Sequence, residues 1–256
     1  MYAHGSVIDL HSHVLPGVDD GARSLEESLE IAQAAVADGI EVLAATPHVR
    51  DDFPTSAEAV EGGVIELREA FADAGIPLEL LPGAEVALDW IGRIEPARFG
   101  LGGNPRYLLV EFPYYGWPLE LTMQVSRLLA SGVTPVLAHP ERNTEVQASP
   151  TRLDGLVGAG VLVQVTAASL DGRLGRGSRA CGFKLLELGF AHLLASDAHA
   201  ATIRGIGMSA AVQAIDDPML SRWLSYDVPA AIIADTPLPP APTPRRRAKR
   251  RWLSRR

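Results

Sequence analysis

The feature that most constrains this chain is a unit that recurs seven times: a short apolar run, then a turn with a polar or charged residue, with helical segments between the copies. Val7-Ile-Asp-Leu10 runs into His11-Ser-His13, and Ser24-Leu-Glu-Glu27 reads as a capping box opening a helix through about Asp38, where Gly39 stops it. Val42-Leu-Ala-Ala45 leads to Thr46-Pro-His48, followed by a helix over about 56–74 that ends at Gly75. Leu78-Glu-Leu-Leu81 leads to Gly83-Ala-Glu85, and Tyr107-Leu-Leu-Val110 leads to Glu111. A helix over about 119–130 stops at Gly132, and Pro135-Val-Leu-Ala138 then leads to His139-Pro-Glu-Arg142. Val161-Leu-Val-Gln-Val165 leads to Thr166, and His192-Leu-Leu-Ala-Ser196 leads to Asp197-Ala-His199. Strand-like and helical runs alternate with no Asn-Gly hairpin signal, which predicts parallel βαβ connections in an α/β fold.

Six of the seven runs end in a His, Asp or Glu. In a parallel barrel all such ends open on one mouth, where the active sites of these folds are built, whereas an open sheet spreads them apart. A closed or distorted barrel is therefore the expectation. The positions are His11, His13, His48, Glu85, Glu111, His139, Asp197 and His199, with Asp20 nearby in the acidic loop Val18-Asp-Asp-Gly21. Any one of them alone is an ordinary structural polar residue. Their conjunction, with five of the seven histidines at equivalent places in the unit, points to metal binding. His4 and His192 fall outside the pattern and read as structural.

Charge and cysteine content narrow the chemistry. The single cysteine, Cys181, excludes an internal disulfide or a zinc knuckle. Glu187 stands where a cysteine-dependent phosphatase would carry its phosphate-binding arginine, so Cys181 reads as a small buried hydrophobe. The net charge of −8 hides an asymmetry, because residues 244–256 hold eight of the 23 basic residues and no acid. The remaining 15 face 31 acidic residues, a body of −16 that repels nucleic acid and phosphorylated substrates unless bound cations reverse the sign locally. Pro237-Leu-Pro-Pro-Ala-Pro-Thr-Pro244 reads as an extended linker, which divides the chain into a body over 1–236 and a linker with basic tail over 237–256. The tail is suited to an anionic membrane face, with Trp252 and Leu253 as a weak anchor, or remains a solvated charge run. Neither a signal-peptide pattern nor a long apolar run is present, so the expected location is cytoplasmic.

The segment Asp9-Leu-His-Ser-His-Val-Leu-Pro-Gly-Val-Asp-Asp-Gly-Ala22, followed in order by Thr-Pro-His48, Gly-Ala-Glu85, Glu111-Phe, Ala-His-Pro-Glu-Arg142 and Ser-Asp-Ala-His199, resembles the polymerase-and-histidinol-phosphatase (PHP) superfamily of metal-dependent phosphoesterases. It is most similar to the bacterial PHP protein-tyrosine phosphatases of capsule and exopolysaccharide biosynthesis. The resemblance covers roughly 6–235. It implies a distorted TIM-like (β/α)7 barrel of the PHP type holding three divalent metal ions, with manganese expected and iron or zinc as alternatives. His11, His13 and Asp197 would hold one, and Glu85 would bridge it to a second held by Glu111 and His139. Asp20, His48 and His199 would hold the third, with Asp19 as the rival for Asp20. Asp9 would orient a ligand imidazole from outside. Arg142 and Arg204 fall at the family's phosphate-binding positions, although Ala200 and Gly205 replace the Asn and Pro usual around the second.

What this implies is hydrolysis of phosphotyrosine on a protein, such as a bacterial tyrosine kinase, without a phosphoenzyme. A phenolate leaving group, with a conjugate acid near pKa ~10, needs less protonation than an alkoxide. The aromatic loop Phe112-Pro-Tyr-Tyr-Gly-Trp117 is placed to stack on such a ring or to pack as core and rim. A small-molecule phosphate such as histidinol phosphate, a nucleotide phosphodiester, or a non-catalytic binding role would use the same framework.

Overall fold

In the computed structural model, which describes residues 6–202 and 205–242, each of the seven apolar runs contains a strand. The chain runs β1 (Val7–Ser12), α1 (Leu25–Ala37), β2 (Ile40–Ala45), β3 (His48–Arg50), β4 (Phe53–Pro54), α2 (Ala57–Asp73), β5 (Glu79–Pro82), β6 (Glu85–Ala87), β7 (Tyr107–Glu111) and α3 (Leu121–Ala130). It continues through β8 (Thr134–Ala138), α4 (Thr144–Ala148), α5 (Asp154–Gly158), β9 (Leu162–Thr166), α6 (Ala167–Asp171), α7 (Gly175–Leu188), β10 (Leu193–Ala195), α8 (Met208–Ile215), α9 (Pro218–Arg222) and α10 (Val228–Ile233). His4, the rest of the basic tail from residue 243 onward, and Arg204 lie outside the described residues.

Local chemistry accounts for the helix boundaries. Ser24 Oγ accepts the Glu27 N–H at 3.3 Å and Ser56 Oγ the Ala59 N–H at 3.2 Å, satisfying donors that an α-helix leaves open at its start. Gly39 and Gly75 follow α1 and α2 with φ of 90° and 66°, the left-handed exit that glycine adopts without a side-chain clash. Val60, Val64, Leu67 and Phe71 recur at helical spacing and turn α2 onto the core.

A closed barrel is the expectation that the structure corrects. The strands form two sheets, β1-β2-β5 and β10-β9-β8-β7-β6-β3-β4, parallel throughout except for the short β3–β4 pair. The reason lies in two prolines. Pro47 and Pro82 offer no N–H to a ladder, and at Thr46-Pro47 and Pro82-Gly83-Ala84 the strands of the second and third runs, β2 and β5, end and the chain starts again as β3 and β6. The segments before the breaks stay in the smaller sheet, β2 paired with β1 and β5 with β2, while β3 and β6 pass into the larger sheet. At its C-terminal end β1 reaches back to the larger sheet's far edge: Asp197 N–H donates to His11 O at 2.9 Å and His13 N–H to Ala198 O at 2.8 Å.

These links draw the strand ends together. His48 and Glu85 are direct register partners across β3 and β6, Ala87 pairs with Glu111, and Glu111 with Ala138, immediately before His139. The core beneath is apolar, with Leu10, Leu43, Leu80, Leu108, Leu109 and Phe112 fully enclosed. Beyond α10, Leu238 packs against it and Trp223 Nε1 donates to Pro239 O at 3.0 Å, so the start of the Pro-rich stretch lies against the body. Among the described residues no helix is long and apolar enough to cross a membrane.

Candidate metal centre

All nine side chains singled out, eight at the strand ends and Asp20 in the loop after β1, meet in one cluster. Their ligand atoms fall into four overlapping groups, each within 4.8 Å: His11, His13 and Asp197; His11, Glu85 and His139; His48, Glu85 and Glu111; and His13, Asp20, His48 and His199. Glu85 is central and fully buried. Its Oε2 lies 3.4 Å from Nε2 of both His11 and His13 and 3.1 Å from His48 Nδ1, and its Oε1 lies 2.8 Å from His139 Nε2. Asp197 Oδ1 is 3.6 Å from His11 Nε2 and 3.4 Å from His13 Nε2, while Asp20 Oδ1 faces His48 and His199 at 3.4 and 3.3 Å. Glu111 groups with His48 and Glu85 and not with His139, which differs from the grouping that the resemblance implies.

The outer faces of the imidazoles fix their tautomers. His11 Nδ1 donates to Gln164 Oε1 at 3.0 Å, an oxygen that also accepts the His139 N–H, and His13 Nδ1 donates to Asp19 Oδ2 at 2.6 Å. His199 Nδ1 donates to its neighbour's carbonyl, Asp197 O, at 2.9 Å. With protons held outside, the Nε2 lone pairs point inward, and those of His11 and His13 confront each other at 3.2 Å. Two lone pairs at that distance repel unless a proton or a cation lies between them. Glu85 Oε2 and His48 Nδ1 are likewise buried without a hydrogen bond. Converging imidazole and carboxylate donors, oriented by a second layer of carboxylate and amide groups, are what divalent cations require, so the residues fit such ions.

The same electrostatics govern titration. Burial opposes charge on His11 and His13, yet Glu85, Asp197 and Asp19 outweigh it and hold both rings above their usual value. Burial pushes Glu85 and Asp197 up, and the surrounding imidazoles overcome it and leave both carboxyls well below the carboxylate range. His199 and His48 do the same to Asp20. Glu111 goes the other way, raised by burial and by the charge of Glu85.

Local backbone geometry serves the cluster. His139 and Asp197 leave β8 and β10 in the left-handed region, with φ of 39° and 54°, where Asp and His are enriched among non-glycine residues. The turn redirects each side chain from the sheet toward the cluster. Gly21 lets the Asp19-Asp20 loop lie on the chain at His13, since a Cβ there would sit 2.1 Å from His13 O.

The resemblance implies that Asp9 orients an imidazole, and the structure corrects this. Asp9 Oδ1 accepts the His11 and Ser196 N–H groups at 3.2 and 3.1 Å, and burial raises its carboxyl to about 6. The orienting is done by Gln164 and Asp19. Gln164 had a visible signal, a lone amide inside the apolar run Val161–Val165. Asp19 and Asp20 divide the roles left open between them, Asp19 holding His13 and the His48 N–H from outside at 2.6 and 2.9 Å and Asp20 facing inward.

Two arginines flank the cluster. Arg142 Nη1 donates to Asp197 Oδ2 at 2.6 Å, and its guanidinium lies 4.4 Å from the Tyr114 ring centre. Arg50, which sequence reasoning passed over, donates from Nη1 to Glu111 Oε1 at 2.8 Å. Asn143 Nδ2 pins the aromatic loop through Pro113 O and Gly116 O, at 2.7 and 2.8 Å. Phe112 is core and Trp117 packs on its edge, leaving Tyr114 and Tyr115 exposed. Cys181 is buried and its thiol is pushed up to about 12, so it is no nucleophile.

Fold and site together define a class: α/β proteins of mainly parallel strands whose strand ends converge on a cluster of imidazole and carboxylate groups suited to divalent cations. Within that class the chain belongs to the CpsB/CapC family of capsular polysaccharide synthesis, whose family model matches residues 7–227. It is 37% identical over 198 residues to the tyrosine-protein phosphatase YwqE of Bacillus subtilis, covering 75% of this chain and 77% of that one. It is 28% identical to the tyrosine-protein phosphatase CpsB of Streptococcus pneumoniae, covering 75% and 83%. A solved structure from work on these two proteins, described there as unique metal-dependent tyrosine phosphatases, superposes with a TM-score of 0.82 at 31% identity, covering 93% of this chain and all of that one.

Proposed function

We propose that this chain is a metal-dependent phosphomonoesterase that hydrolyses phosphotyrosine on proteins and acts in capsule or exopolysaccharide biosynthesis on a bacterial tyrosine kinase. The observation that carries this reading is the inward convergence of imidazole nitrogens and carboxylate oxygens, with His11, His13 and His199 donating their Nδ1 protons outward to Gln164, Asp19 and the Asp197 carbonyl. The family relatives, themselves tyrosine phosphatases, support the substrate class.

His11, His13, Asp20, His48, Glu85, Glu111, His139, Asp197 and His199 would hold three divalent cations, manganese by preference. Such cations polarise phosphoryl oxygens and lower the pKa of water to roughly 7. The chain's own residues bind and orient the ester. Arg142 is held against Asp197 and Tyr114, a rigid placement from which its planar fork can pair with phosphate oxygens. Arg204 would add a second guanidinium. The phenolate leaves without a strong general acid. The catalytic unit spans 1–236, an opened relative of the TIM-like PHP barrel, and works in the cytoplasm with the basic tail near an anionic membrane surface.

The test compares phosphate release from a phosphotyrosine peptide, a phosphoserine peptide, histidinol phosphate and a labelled oligonucleotide. Turnover of the first at least tenfold above the rest is expected. Faster turnover of histidinol phosphate would overturn the protein-phosphatase reading.

A further inference from the structure

A phosphotyrosine side chain holds its phosphorus well away from its own backbone, so the residues beside it must lie on the rim of the cluster. On the Glu111 side that rim is a groove of about 810 Å³, walled by the β3–β4 turn, the turn after β6 and the loop from Pro113 to Glu120. Glu111 belongs to both groove and cluster, so the groove is continuous with the site.

Part of its lining is apolar. Ala87, Leu88, Pro113 and Pro118 line it, and Leu119 stands 97% exposed at its edge. Beyond the edge, Tyr115 is 81% exposed and Tyr114 and Met123 are also open to solvent, so exposed large hydrophobic residues gather here more than elsewhere on the described surface. The loop is held in place by the Asn143 bonds and by Thr144 N–H donating to Tyr114 O at 3.0 Å. A fixed apolar ledge beside a catalytic cluster marks a binding surface.

The groove's charge selects its occupant. Asp51, Asp52, Asp89, Glu111 and Glu120 line it against one lining cation, Arg50, which is committed to Glu111 and Asp52. Asp51 is paired with Arg93 at 3.0 Å, whereas Asp89 has only a 3.9 Å approach from the same arginine and Glu120 has no ion pair among the described residues. Asp89 and Glu120 are thus the carboxylates still open to a partner.

We infer that this groove docks the chain segment flanking the phosphotyrosine and selects substrates with lysine or arginine beside an apolar residue. The inference rests on the phosphatase reading of the cluster and adds the sequence class of its substrate. Basic flanks also offset the repulsion between a phosphate dianion and an acidic body, so their effect weakens as salt rises.

The experiment uses the full chain with manganese and two phosphotyrosine peptides that differ only in flanking Lys or Glu residues. It measures kcat/KM for each, and Kd for the same pair made with a non-hydrolysable phosphonate in place of the phosphate. The lysine peptide should be favoured about fivefold or more in both measures at low salt. Asp89→Lys with Glu120→Lys should abolish or invert that preference while hydrolysis of p-nitrophenyl phosphate, which has no flanks, is unchanged. Leu119→Ser should raise KM for both peptides alone. Equal Kd values, or a preference that survives the charge reversal, would overturn the groove assignment. Failure to hydrolyse p-nitrophenyl phosphate would instead overturn the phosphatase reading, and the phosphonate binding would still decide the groove.

Discussion

Arg142 and Asp197 meet through one bond of 2.6 Å, Nη1 to Oδ2, while the other oxygen of Asp197 faces His11 and His13. The carboxylate is thereby split between two tasks, one oxygen toward the cluster and one toward a guanidinium stacked on Tyr114. The contact fixes where the arginine sits before any ligand arrives.

If that placement serves substrate phosphate, Arg142→Ala should lower kcat about 100-fold or more and raise KM, since removing one preorganised donor to developing charge typically costs that much. Metal content measured by elemental analysis should be unchanged. Loss of metal together with activity would show that the arginine supports Asp197 alone.

Arg50 makes the matching contact on the other side, occupying Glu111 Oε1 and leaving Oε2 for the cluster 3.7 Å from His48 Nδ1. It also offsets the like charge of Glu85 that, with burial, raises the Glu111 carboxyl. Arg50→Gln should weaken binding of one cation by roughly 10–100-fold, the usual effect of losing an outer partner of a ligand, with partial rescue in Arg50→Lys. Unaltered cation titration in Arg50→Gln would contradict this.

How much of this was legible follows from which interactions are local. Runs such as Val42–Ala45 and caps such as Ser24-Leu-Glu-Glu27 declare themselves within a few residues, and the strand ends, with the loop holding Asp20, carry the nine side chains that the structure gathers. Lateral relationships are different. Whether Asp19 or Asp20 turns inward depends on how the loop closes over Gly21, and whether Glu111 meets His139 or His48 depends on the register of β6 against β7. The two-sheet arrangement was written in Pro47 and Pro82, but a proline marks where a ladder breaks and not which sheet the next strand joins. Arg50 was missed because its role exists only across the β3–β7 separation, 61 residues apart in sequence.

His192 gives a pH dependence separate from the cluster. Its ring is driven down to about 4 by burial, against a weaker opposing backbone contact at Phe190, and its neutral Nδ1 accepts the Val163 N–H at 3.2 Å. The folded value lies below the unfolded one near 6.5, so the unfolded chain binds the extra proton between the two. Stability contributed by the neutral ring is complete above about 6.5 and declines as pH falls toward 4, by up to about 1.4 kcal/mol per pH unit. Urea denaturation at pH 7 and pH 5 should show a smaller acid loss in His192→Gln than in the wild type. Identical losses would contradict it.

The central claim is that the nine side chains are a cation site whose occupancy is needed for phosphotyrosine hydrolysis. Its most direct test is phosphate release from a phosphotyrosine peptide by the purified chain, before chelation, after chelation, and after manganese is added back, with bound metal counted at each stage. Turnover should disappear with the metal and return with it. Full turnover by a chain shown to be metal-free would contradict the account.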